Sequence, residues 1–154
     1  EELVLWYDQN IDKHTRLFDG VLPILQAAKA AQYKMAVVTN KRESLSSKLL
    51  FRLGVHQYFD TLVGGDTLAS RKPDAAPITE ALRRLDVAPE DAIMVGDSEA
   101  DTASAQAAKV ACICVSFGYR RVSLDALGAD AIIDHFNEFS AAAKALKPGK
   151  FDAL

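Results

Sequence analysis

The sequence predicts an α/β domain whose mostly parallel sheet is covered by helices on both faces. Two observations carry that expectation. Short apolar runs of strand length alternate with helical patterns of about ten residues along most of the chain. The strand candidates are continuously apolar, as buried parallel strands are, and do not alternate in the way of a half-exposed sheet. A length of 154 residues suits one domain with a real core, and 49% apolar with 25% charged residues is an ordinary globular mixture.

In chain order, Leu3, Trp6, Tyr7 and Ile11 fall at helical spacing between Glu1 and about Thr15, an amphipathic helix whose apolar face needs a partner. In LFDGV, Asp19 and Gly20 are expected to make the turn and cap that begin the helix VLPILQAAKAA, with Pro23 in its first turn. The strand MAVVT comes next, then a helix from about Glu43 to Leu53 that stops at Gly54. TLVG is a weaker strand signal. Asp74 to Leu85 reads as a helix, AIMVG as a buried strand, Glu99 to Ala108 as a helix and VACICV as a strand. AIID and a helix through LKPG complete the series. The tail KPGKFDAL is expected to fray, since Pro148 and Gly149 end the helix and little apolar material lies beyond them.

Eighteen basic against 21 acidic residues leave a formal charge of -3, scattered along the chain, so no broad field attracts nucleic acid or an anionic membrane. Apolar runs are far shorter than a bilayer span and the start lacks the pattern of a signal peptide, which places the expected location in the cytoplasm. Cys112 and Cys114 share one face of a strand and read as buried thiols, because a structural zinc site wants about four ligands. His14, His56 and His135 are far apart and away from strand tips, and read as surface or helix-end residues.

Ligands of open parallel sheets bind beyond the carboxyl ends of the strands, which directs attention to the residues immediately after MAVV and AIMV. Thr39-Asn40-Lys41 offers a hydroxyl, an amide and backbone donors suited to phosphate oxygens; helix capping accounts for the same residues. VGDSEAD crowds Asp97, Glu99 and Asp101 around a helix start, where carboxylates and a phosphate together would hold a hard cation such as Mg²⁺. Capping by Ser98 and the helix dipole explain these acids equally well. Lys72 precedes Pro73, taken as a first-turn proline, so the cation opposes the dipole unless an anion is also bound there.

Thr39-Asn40, Lys72-Pro73 and Gly96-Asp97-Ser98 with Asp101, in that order after successive strands, resemble the motifs of haloacid dehalogenase-like phosphatases. The wording VVTNK, GGDT before RKPD, VGDSEAD and FGY is most similar to the phosphoglycolate phosphatase group. The resemblance implies a three-layer Rossmann-like core over 17–147, a helical-cap remnant over 1–16 and a flexible tail over 148–154. It implies that Thr39 and the Asn40 backbone bind the transferring phosphoryl group, that Lys72 neutralises its charge, and that Asp97 ligates Mg²⁺ with Asp101 supporting from behind. Glu99 is left as a surface acid; Tyr119 is placed at the far border of the site, and Arg120 beside it is read as a solvated loop residue.

The family's attacking aspartate sits in a DxDGT motif at the tip of the central first strand, and nothing upstream of Thr39 matches it. Aligning LFDGV on that motif puts Leu17 at the nucleophile position, so LFDGV instead resembles the point where the cap rejoins the core. Two readings remain. One is a phosphatase of small phosphomonoesters whose first strand, nucleophile and most of the cap precede Glu1, this chain alone being inactive. The other is a non-catalytic phosphate- and metal-binding or assembly protein. Either way a central strand is missing, and a separate N-terminal segment, direct re-pairing or a partner chain is expected to complete the sheet.

Overall fold

The computed structural model describes residues 15–154. The amphipathic helix expected before Thr15, with His14, lies outside them.

Among the described residues five strands and five α-helices occur in the expected order: α1 (Val21–Ala30), β1 (Ala36–Val38), α2 (Glu43–Arg52), β2 (Thr61–Val63), α3 (Ala76–Leu85), β3 (Ile93–Gly96), α4 (Glu99–Ala107), β4 (Ala111–Val115), β5 (Ala131–Ile133) and α5 (Phe139–Leu146). Every strand pairing is parallel, but the strands form two sheets, β1-β2 and β3-β4-β5. Among the described residues nothing pairs with the other side of β1 or of β3. The burial pattern records the same gap. In the middle of its sheet β4 buries Cys112, Ile113, Cys114 and Val115 almost completely, whereas no residue of the equally apolar β1 is fully buried. Val95, on β3, is 38% exposed. A parallel strand covered by helices on both faces is ordinarily buried, so β1 and β3 each lack a neighbour. Between them lies a cleft of about 670 Å³ lined by Ile24, Val38, Ile78, Leu82, Met94 and Val95 among others.

Helix α3 spans the gap on one face. Ile78 and Leu82 pack with Ala105 and Val110 and with Cys112 and Cys114 of β4, while Val38 and Met94 close on the same cluster from opposite sides of the cleft. On the other face, Ile113, Val115 and Ile133 pack with Phe139 and Ala143 of α5 and with Ile24 of α1. Both cysteines are free and buried, as expected.

Three local expectations change. Fraying was expected over 148–154, yet Phe151 stacks on Tyr33 with ring centroids 5.4 Å apart, and Phe151 and Leu154 pack against the α5 cluster. Two apolar residues in correct register suffice, assisted by Tyr33 Oη donating to the Lys150 carbonyl at 3.1 Å and by a Lys150–Asp91 ion pair at 2.7 Å. Asp19 does not cap α1. Its carboxylate meets His135 Nε2 at 3.1 Å, and because His135 Nδ1 accepts from the Asn137 N–H, the neutral ring donates from Nε2 to Asp19. Gly20 at φ +83° makes the entry turn, where a Cβ would also meet Phe136 Cβ at 3.0 Å. Pro73, finally, precedes the helix instead of opening it: α3 starts at Ala76 with Pro77 in its first turn, and the Lys72–Pro73 peptide is cis. His56 is exposed on a short 3₁₀ turn against Phe51.

On the outer side of α3, Glu80 accepts from both Arg83 and Arg84. Hydrogen bonds from those two guanidinium groups hold its carboxyl down at about 2, against an ordinary 4.5. A depressed folded-state pKa means that the unfolded chain binds the proton first, so this contribution is present above 4.5 and lost as pH falls towards 2. Glu80→Gln is therefore expected to lower the urea midpoint at neutral pH, with the difference from wild type closing as pH falls to 2 and narrowing at high salt.

Candidate active site

The carboxyl ends of β1 and β3 carry Thr39 and Asp97, and the loop bearing Lys72 joins the two sides. Lys72 Nζ donates to the Val38 carbonyl at 2.8 Å and to Asp101 Oδ1 at 2.6 Å. Val38 belongs to one sheet and Asp101 to α4, the helix that follows β3 at the open edge of the other, so a single ammonium ties the two halves together at the open end of the cleft. Both partners of the ion pair are nearly enclosed, with side-chain exposures of 10% for Lys72 and 7% for Asp101. The charge of Lys72 is balanced by Asp101, which replaces the dipole argument based on a first-turn Pro73.

Asp101 has a second set of partners. Its Oδ2 accepts from the backbone N–H of Asp97 at 3.0 Å, from that of Ser98 at 3.2 Å and from the Ser98 hydroxyl at 2.9 Å. One carboxylate thus caps α4, fixes the turn bearing Asp97 and neutralises Lys72. Burial works to raise its pKa, but Lys72 and these donors prevail and hold it below the usual carboxylate range. Helix capping and the ion pair with Lys72 converge on one carboxylate here.

Asp97 is half-buried at the tip of β3, and its Oδ2 accepts from the Tyr119 N–H at 3.1 Å. Burial pushes its pKa up, the Tyr119 N–H works against this, and the neighbouring Asp101 carboxylate adds to the rise. The FGY loop approaches so closely that a Cβ on Gly118 would sit 2.1 Å from Asp97 Cβ. Only a glycine fits. Glu99, left aside as a surface acid, accepts from the Arg121 N–H at 3.3 Å and helps hold the same loop, while Arg120 donates to the Ser116 carbonyl within it and Tyr119 projects its ring into solvent.

On the other side, Thr39 Oγ1 accepts from the Lys41 N–H at 3.2 Å. The loop after Thr39 is gripped by GGDT: Gly65 N–H donates to the Lys41 carbonyl at 2.7 Å, and Asp66 Oδ1 accepts from Glu43 N–H at 2.7 Å. Asp66 thereby caps α2, whose own preceding residue, Arg42, has no capping side-chain bond. A Cβ on Gly65 would stand 2.1 Å from the Asn40 carbonyl oxygen. Asn40 uses its side chain on Lys72: Nδ2 donates to the Lys72 carbonyl at 2.9 Å and Oδ1 accepts from the Lys72 N–H at 3.0 Å. The sequence marks GGDT and FGY as motifs, but gives no sign that they act as clamps. Those contacts join residues 21 or more positions apart.

The family model described as haloacid dehalogenase-like hydrolase matches residues 2–115. The chain belongs to this family. It is 43% identical over 115 residues to a phosphoglycolate phosphatase of Thiobacillus denitrificans, covering 75% of this chain and 51% of that protein. With a phosphoglycolate phosphatase of Nitrosococcus oceani it shares 37% over 133 residues, 86% of this chain and 59% of the relative. This family member thus spans little more than half the length of those relatives. Among solved structures, a predicted phosphoglycolate phosphatase of Haemophilus somnus superposes with a TM-score of 0.85 at 29% identity, over 90% of this chain and 62% of the other. The phosphate complex of CbbY from Rhodobacter sphaeroides does so at 0.77 and 30% identity, over 86% and 60% of the two chains. The expected family and its Rossmann-like α/β fold are therefore established. No helix among the described residues is long and apolar enough to cross a membrane.

Replacing Asp101 by Asn leaves the buried Lys72 ammonium without its counter-charge, and is expected to lower unfolding free energy by about 3 kcal/mol in denaturant titrations. Gly118→Ala is expected to cost about 1–3 kcal/mol through overpacking, with faster hydrogen exchange at the Tyr119 amide as the bond to Asp97 is displaced.

Proposed function

We propose that this chain supplies the phosphate- and metal-binding part of a cytoplasmic phosphatase of small phosphomonoesters, with phosphoglycolate as the substrate. The observation that carries the reading is the Lys72 ammonium, enclosed between Val38 O and Asp101 and set between the strand tips bearing Thr39 and Asp97. A cation held there offsets charge on a phosphoryl group. The Thr39 hydroxyl and the backbone of Asn40 bind the phosphoryl oxygens, and Lys72 neutralises them as the charge spreads.

The residues fit a Mg²⁺ ion held in part by the protein. Asp101 has both oxygens engaged and supports from behind, while Asp97 is the acid aimed from the strand tip. Mg²⁺ usually takes one or two protein carboxylates and completes its shell with phosphate and water, and Asp97 would supply one of them. Bound there, Mg²⁺ offsets negative charge on the phosphoryl oxygens.

The attacking carboxylate belongs to a strand outside the described residues, from an upstream segment of a longer protein. The cleft supports this: a single extended strand, parallel to β1 and β3, pairs with both open edges and joins the two sheets into one. Its carboxyl end emerges beside Thr39 and Asp97. There the aspartate oxygen bonds to phosphorus as the ester P–O bond breaks, the departing alkoxide takes a proton, and water then hydrolyses the aspartyl phosphate to free phosphate. The 154-residue chain is inactive by itself in this reading.

The test is turnover of phosphoglycolate by the protein carrying its upstream segment. Activity is expected to vanish in chelator and return with Mg²⁺, and Asp97→Asn is expected to lower kcat by about 100-fold or more. Undiminished turnover in that variant rejects the metal assignment, and hydrolysis by the isolated chain rejects the missing-nucleophile assignment.

A further inference from the structure

Resting on the phosphatase reading above, we propose that the Asn40 side chain is a positioning residue that sets where the Lys72 ammonium stands relative to Thr39, and that it does not itself bind the phosphate. A primary amide has one donor face and one acceptor face, and Asn40 spends one of each on the N–H and C=O of a single residue, Lys72. Both contacts, at 2.9 and 3.0 Å, fall at ordinary hydrogen-bond length. The pairing imitates one rung of a β-ladder, with the side chain standing in for a strand.

Residues 38–40 thus hold Lys72 at both ends. Val38 O receives its ammonium, and Asn40 receives its backbone. Thr39 lies between the two grips, so the spacing from its hydroxyl to the ammonium is set within one three-residue segment. That segment is itself immobilised: Thr39 N–H donates to Val63 O at 2.9 Å, Gly65 N–H donates to Lys41 O at 2.7 Å, and glycine at 65 leaves room for the Asn40 carbonyl. Asp101 grips the ammonium from the opposite sheet. The loop from Leu68 to Ala75 contains no helix or strand; a turn from Asp74 N–H to Arg71 O and the Ser104 hydroxyl bond to Asp74 O hold it beyond Lys72, and the amide clamp is what fixes the backbone of Lys72 itself. A lysine displaced by about 1 Å loses much of its value to a reaction that depends on orientation.

Two measurements test this and separate its failure from failure of the phosphatase reading. In the 154-residue chain, hydrogen exchange at the Lys72 amide is expected to be at least about tenfold faster in Asn40→Ala than in wild type, while amides of β4 are unchanged. Asn40→Asp keeps the oxygen that accepts from Lys72 N–H and is expected to retain most of that protection; it also carries the test if the alanine variant does not fold. In the protein carrying the upstream segment, Asn40→Ala is expected to lower kcat for phosphoglycolate by about tenfold or more while KM changes less than about twofold. Unaltered Lys72 exchange in Asn40→Ala overturns the clamp, as does a rise in KM with kcat intact, the signature of a residue that binds substrate directly. If wild type hydrolyses no phosphoglycolate the phosphatase reading falls, and the exchange rates still decide the clamp.

Discussion

The structure depends on one buried ammonium. A lysine taken out of water is tolerated only when its charge is met and its protons are shared, and Lys72 meets both demands by drawing partners from opposite sides of the molecule. Val38 brings β1, Asp101 brings α4, and through Asp101 come the turn after β3 and the Ser98 cap. Charge balance for one side chain therefore becomes the constraint that aligns two sheets not otherwise hydrogen bonded to each other among the described residues.

Apolar packing supplies the rest of the contact around the cleft, apart from ties such as Tyr33 Oη to the Lys150 carbonyl. Helix α3 lays Ile78 and Leu82 across the cleft and touches residues from both sides of it. The opposite face is closed by α1, α5 and the C-terminal Phe151 and Leu154. The middle of the cleft keeps the low polarity of a core, while β1 and β3 each keep a backbone edge with no strand paired to it among the described residues. An edge of this kind is a strong template for another strand.

The succession of elements was legible because each is written in local pattern: continuous apolar runs for strands, 3.6-residue periodicity for helices, Gly54 after α2, Ser98 before α4. Thr39 and Asp97 were legible as polar residues following strands, and the structure places them at the ends of β1 and β3. Less legible was everything set by distant partners. Pro73 has the local signature of a helix start, but the chain takes a cis turn there and α3 begins later, with Pro77 in its first turn. Asp19 has the signature of a cap, but His135 claims it from 116 residues away. Phe151 and Leu154 are too few to predict packing unless Tyr33 and the α5 cluster are known to await them. The Asn40 clamp leaves no local trace at all, since its partner is a backbone and any residue type can offer one.

Asp66 closes α2 from beyond the next strand, and this has a consequence for the order in which the chain can fold. The first turn of α2 is left with an unsatisfied Glu43 N–H until the 64–67 turn arrives, and that turn is brought into place when β2 registers against β1. Helix, turn and strand pair are therefore expected to open together, as one cooperative unit. The loop carrying Thr39 and Asn40 lies inside that unit, so its geometry appears only when the whole unit does.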